Sequence, residues 1–147
     1  MATKNGVSLN WGGLDKALSK AGHKLGDTQA LMESVGDALV SGTLKRFDAE
    51  EEPTGKKWPK SKRAAKEGGQ TLTDKAFLRR SIDSAATPEK VMVGSNLPYA
   101  RIHQLGGKTG KGHKVDMPAR PYLGVSESDR DDVRAAMANF LAGVFKA

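Results

Sequence analysis

The residues best suited to chemistry in this chain are its three histidines, His23, His103 and His113, and two runs of carboxylates. Two imidazoles and a carboxylate, as in His103, His113 and Asp116, could hold a divalent cation. No HxxxH or HExxH spacing sets two of them on one helical face, which argues against a metal-dependent enzyme. His103 reads instead as a hydrogen-bonding residue beside Tyr99 on one short helix. The carboxylates of Glu50-Glu-Glu52 follow one predicted helix, and Asp129, Asp131 and Asp132 open another. Both runs read as solvated charge rather than as an acid–base pair. There is no cysteine, which removes thiolate nucleophiles, thiolate metal sites and disulfides, and fits a reducing cytoplasm. Gly-x-Ser-x-Gly is absent as well. The stretch Gly107-Lys-Thr-Gly-Lys-Gly-His-Lys114 imitates a phosphate-binding loop until His113, where that motif needs lysine. The residues thus predict no catalysis, no metal and no cofactor.

The elements that must position these residues are legible in part. Residues 7–11 suggest a short strand and residues 14–25 a short amphipathic helix, together an N-terminal extension over residues 1–26. Asp27 is the expected N-cap of a long helix over residues 27–48, with Leu31, Met32, Val35, Leu39, Val40, Leu44 and Phe47 as its apolar positions. Gly36 and Gly42 weaken it by about 1 kcal/mol each relative to alanine. In residues 53–70 the apolar periodicity vanishes and Lys56, Lys57, Lys60, Lys62, Arg63 and Lys66 crowd around Trp58, which predicts a mobile basic loop. One helical turn follows near Phe77. Leu78, Ile82 and Ser84 fit a half-buried strand that turns at Thr87-Pro-Glu-Lys90 into Val91-Met-Val93 as a hairpin.

Pro98 can open a short helix carrying Tyr99, Ile102 and His103, because the missing N–H costs nothing in a first turn. Residues 106–114, with Lys108 and Lys111, read as a flexible basic loop. Prolines 118 and 121 confine the next extended segment to an edge or irregular strand. Ser126 or Ser128 can cap a final helix over residues 127–145. Its stripe of Val133, Ala136, Met137, Phe140, Leu141 and Val144 reads as a core-packing face. The fold class is therefore α+β: a small, mainly antiparallel sheet packed against a long helix and a C-terminal amphipathic helix, with long basic loops, in one domain over residues 1–147.

Composition narrows the partners. With 147 residues the chain suits one domain, and its formal charge of +7 favours nucleic acid or acidic proteins. Aromatic residues for base stacking are scarce, and no helix-turn-helix or zinc-finger pattern is present, so a DNA-binding module rests on charge alone. No leader-like apolar segment and no run of about 18 apolar residues appears, so a soluble protein without a membrane partner is expected.

Two dense blocks remain: Val93-Gly-Ser-Asn with Tyr99-Ala-Arg-Ile-His-Gln, and Pro118-Ala-Arg-Pro-Tyr-Leu-Gly124. Prolines flanking Arg120 constrain its backbone, which would aim the guanidinium at a carboxylate of a neighbouring subunit or hold it in an internal pair. Tyr99 and Tyr122 could be stiff interface anchors or could pack within the monomer. With Arg46-Phe47, Pro53-Thr-Gly-Lys-Lys-Trp58, Leu72-Thr-Asp and Leu78-Arg-Arg-Ser-Ile82, these blocks resemble the phage virion morphogenesis family of tail completion proteins over roughly residues 27–145. Thr54 departs from the aspartate common there, and residues 60–70 are unusually basic.

The resemblance implies a structural protein without catalysis or cofactor. It would complete the tail and support head–tail joining as a homo-oligomeric ring at the virion neck, a hexamer being one candidate. The implied partners are further copies of itself, the head–tail connector and tail-tube or terminator proteins, with a passing contact to genomic DNA. Assembly would occur in the host cytoplasm. Tyr99, His103, Arg120, Pro121 and Tyr122 are the interface candidates. Lys56, Lys57, Lys60, Lys62, Arg63, Lys66, Lys108 and Lys111 are the candidates for contacting protein or DNA.

Overall fold

A computed structural model describes residues 28–146. The expected N-terminal strand, short helix and Asp27 cap lie outside these residues. The chain runs through α1 (Gln29–Ala49), α2 (Lys62–Glu67), α3 (Phe77–Arg80), β1 (Asp83–Thr87), β2 (Lys90–Gly94), α4 (Ala100–Leu105), β3 (Gly107–Thr109), β4 (Val115–Met117) and α5 (Glu127–Lys146). The fold is α+β, as its sequence predicts. The strands form two separate antiparallel hairpins rather than one sheet.

Helix α1 is the spine. Leu31, Met32, Val35, Leu39 and Phe47 are buried along it, and the helix packs on the β1–β2 hairpin and on α5. Thr28 precedes it, but the hydroxyl donates to the Pro88 carbonyl at 2.7 Å instead of capping a helix amide. That bond ties the start of the helix to the hairpin turn. The hairpin is in register from Asp83 opposite Gly94 to Thr87 opposite Lys90. The Thr87 hydroxyl accepts the Glu89 and Lys90 amides and closes the turn. The strand starts at Asp83, later than expected, because Leu78 belongs to the helical turn α3.

Residues 53–70 are more structured than a basic loop. Glu51 bridges Lys57 across a tight turn, and α2 follows, with the Ser61 hydroxyl accepting the Ala64 amide as its N-cap. Trp58 anchors the excursion. It is buried, its indole N–H donates to the Pro121 carbonyl at 2.8 Å, and its ring meets Phe47 edge-on at 5.5 Å. One aromatic residue thus replaces the missing periodicity. Residues 106–114 also differ from a free loop: β3 and β4 pair from Gly107 opposite Met117 to Thr109 opposite Val115, around a 3-10 turn at Lys111–His113.

Helix α5 begins with a reciprocal cap. The Ser126 hydroxyl accepts the Asp129 amide at 3.0 Å, and the Asp129 carboxylate accepts the Ser126 amide at 2.8 Å. Its apolar stripe packs only in part. Val133 is buried, Met137 and Phe140 are half-buried, and Leu141 is exposed. The core-packing face therefore fades along the helix.

Asp129 is buried rather than solvated, which corrects the reading of its acidic run. It accepts the Arg46 Nη1 at 2.6 Å. The same guanidinium donates from Nε to the Tyr122 carbonyl, and from Nη2 to the Thr43 hydroxyl and the Gly124 carbonyl. One side chain thereby fastens α1, the segment before α5, and α5 itself. Gly42 makes this possible: a Cβ there would lie 1.8 Å from the Asp129 Oδ1. The glycine that weakens α1 in isolation is what lets α5 approach it.

Candidate functional site

The two punctuated blocks dock against each other. Gln104, buried on α4, accepts the amides of Tyr122 and Leu123 through Oε1 and donates from Nε2 to the Leu123 carbonyl, each at 3.0 Å. A side-chain amide thus substitutes for a missing strand partner. The Arg120 amide donates to the His103 carbonyl at 2.8 Å. Helix α4 ends at Gly106, with φ of 70°, where a Cβ would sit 2.7 Å from the Ala119 nitrogen. A side chain is excluded there by backbone proximity and disfavoured by conformation.

Tyr122 is fully buried in this junction, its phenol donating to the Ala100 carbonyl at 2.8 Å. Burial raises the phenol's pKa far above its ordinary value, so it stays a neutral donor. It is a core residue of the monomer and not an exposed interface anchor. The tilted contact with Phe47 joins it to the same cluster as Trp58. Pro121 is half-buried and contributes its carbonyl to Trp58.

Arg120 is also buried, at 4% exposure. Its Nε donates to the Pro59 carbonyl at 2.6 Å, and its Nη1 lies 3.6 Å from the Met117 sulfur. The internal arrangement thus engages one edge of the guanidinium. Among the described residues it has no carboxylate partner, and Nη2 has no hydrogen-bond partner. Arg120 forms part of the wall of an open groove of about 310 Å³, together with Arg63, Lys75, Phe77, Tyr99 and His103.

Tyr99 is 41% exposed and Phe77 58% exposed, so the groove has an aromatic rim. His103 meets the Tyr99 ring edge-on at 6.0 Å, as their helical spacing predicts. Its Nδ1 is buried without a partner among the described residues. Burial holds the imidazole's pKa below its ordinary value, and the Arg120 charge pushes the same way. Desolvation lowers the Arg120 pKa too.

The basic candidates separate by position. Lys56, Lys60, Lys62 and Lys66 are exposed. Lys57 is held by the Glu51 carboxylate at 3.1 Å and the Ala49 carbonyl at 2.7 Å. Arg63 donates to the Gln70 carbonyl and lies 4.0 Å from Asp74. Lys108 stands 3.8 Å from Asp116 across the second hairpin, and Lys111 is exposed in its turn. Only Arg63 of this set reaches the groove. Among the described residues no three His, Asp or Glu side chains gather as a metal site, and no helix is long and apolar enough to cross a membrane.

Arg46, Asp129 and Gln104 are the organising polar residues that sequence reasoning missed. Their signal was present: Arg46 and Gln104 stand inside the quoted blocks, and Ser126 with Asp129 has capping-box spacing.

The fold and groove define an α+β domain with a tightly fastened interior and one cation-lined, aromatic-rimmed opening. The chain belongs to the phage virion morphogenesis family, whose family model matches residues 9–142. It is 34% identical over 120 residues to the Mu-like prophage FluMu G protein 2 of Haemophilus influenzae, covering 82% of this chain and 83% of that protein. It is 30% identical over 115 residues to the putative capsid assembly protein G of Escherichia phage Mu, covering 71% and 74%. No solved structure gives a significant match.

Proposed function

We propose that this protein completes the phage tail and supports head–tail joining, assembling as a homo-oligomeric ring at the virion neck without catalysis. Membership of the virion morphogenesis family carries the reading. The surface agrees with it. Among the described residues, Phe77, Tyr99, Leu105 and Val115 are exposed large apolar side chains, and they sit on α3, α4 and the second hairpin with its approaches. Phe77 and Tyr99 share one groove, and exposed apolar side chains grouped in this way suit protein contacts better than solvent. Further copies of the chain, the head–tail connector and tail-tube or terminator proteins are the proposed partners. The exposed lysines of residues 56–66 would face protein or passing genomic DNA.

The test is electron microscopy of a lysate in which the gene carries a stop codon at Trp58. Filled heads beside separate tails, or tails of abnormal length, are the expected outcome. Normal infectious particles would remove the neck role and return attention to DNA binding, which a salt titration of affinity then checks.

A further inference from the structure

We propose that the groove around Arg120 is a receptor for a carboxylate side chain, followed by an apolar residue, on an acidic segment of a partner virion protein. Arg120 is the carrying observation. A buried cation is costly unless it is paired, and this one has a carbonyl and a thioether for partners. Its Nη2 is unengaged among the described residues. Nη1 and Nη2 form the fork that receives a carboxylate bidentately. Lys75 and Arg63 add positive charge around the groove, against Asp74 alone among its acidic residues. Phe77 and Tyr99 at the rim supply the apolar complement.

Depth decides between partner classes. Arg120, 4% exposed as a residue, is recessed in the groove wall, which suits a carboxylate on a flexible side chain better than the phosphates of a nucleic-acid backbone. Net charge favours an acidic partner over a second copy: the chain carries +7, so two copies repel overall. The inference rests on the neck reading only for the source of the acidic segment.

The experiment is an NMR titration of the full-length, isotope-labelled protein with the capped dipeptides acetyl-Glu-Phe-amide and acetyl-Gln-Phe-amide. The glutamate probe is expected to shift the Arg120 Nε–H and His103 ring signals saturably, at least tenfold more tightly than the glutamine probe. Arg120→Gln should abolish that preference. Lys75→Gln, an exposed change that leaves the fold alone, should weaken the glutamate probe several-fold. Equal affinity for the two probes, or no saturable shift, overturns the proposal. So does a saturable response at Arg120 to a short single-stranded oligonucleotide, which would assign the groove to nucleic acid. Concentration-dependent self-association that Arg120→Gln abolishes would assign it to a second copy and also overturns the acidic-partner reading. A failed titration together with a retained tail-joining defect in the stop-codon lysate removes the groove's role and leaves the neck reading intact.

Discussion

Arg46 and Arg120 are both nearly excluded from solvent, at 5% and 4% exposure, yet they are treated in opposite ways. Arg46 has a carboxylate at 2.6 Å, two carbonyls and a hydroxyl around its guanidinium. Arg120 has one carbonyl and a sulfur. The first joins three parts of the fold, and its charge is neutralised where it stands. The second is held in place by the chain around it, without a carboxylate partner among the described residues, in the wall of an open groove. A buried charge whose requirements are met inside the molecule is architecture; one left half met is an expectation about something outside.

Substitution by methionine should break the two sites apart most strongly. Arg46→Met leaves Asp129 buried and unpaired, and a loss of about 3–5 kcal/mol in chemical denaturation is expected. Gly42→Ala should come next, at about 1–3 kcal/mol, because the new methyl group collides with the same carboxylate. Arg120→Met should stay within about 1 kcal/mol of the parent, since the lost Pro59 hydrogen bond is offset by removing a poorly paired buried cation. Equal costs for the two arginine variants would erase the distinction between the sites.

The smallest effect is a pH dependence. His103 has a folded-state pKa lowered by burial and by Arg120, so the unfolded chain binds more protons in the window between the folded and unfolded values. Stability attributable to this group is full above its unfolded pKa of about 6.5 and falls as pH drops toward the lower folded value. Denaturation midpoints followed downward from pH 7.5 should show this slope, and His103→Gln should flatten it. A slope unchanged by that substitution would place its origin elsewhere.

The same contrast explains what could be read from the chain beforehand. Helices α1 and α5 and the first hairpin announced themselves through periodicity and the turn at Pro88. The second hairpin did not, because strands of three residues carry too few alternations to register. Residues 53–70 looked loose because their order hangs on Trp58 and on a carbonyl at Pro121. For Tyr122 the sequence leaves interface and core open, because an aromatic residue between proline and glycine fits either; its burial and the phenol's bond to the Ala100 carbonyl decide for the core. Arg120 was singled out by its flanking prolines, yet its depth depends on Gly106 lying against Ala119. Local spacing cannot express contacts of that range.

The Arg46 cluster also imposes an order in time. Its carboxylate partner follows 83 residues later in the chain, and its Tyr122 contact 76 residues later. During synthesis α1 therefore emerges with its central cation unmatched and its Gly42 notch empty, and it stays so until α5 leaves the ribosome. Contacts of such long separation form late. A chain interrupted before Asp129 lacks the carboxylate that closes the cluster, so the fold is completed only once nearly the whole chain is present.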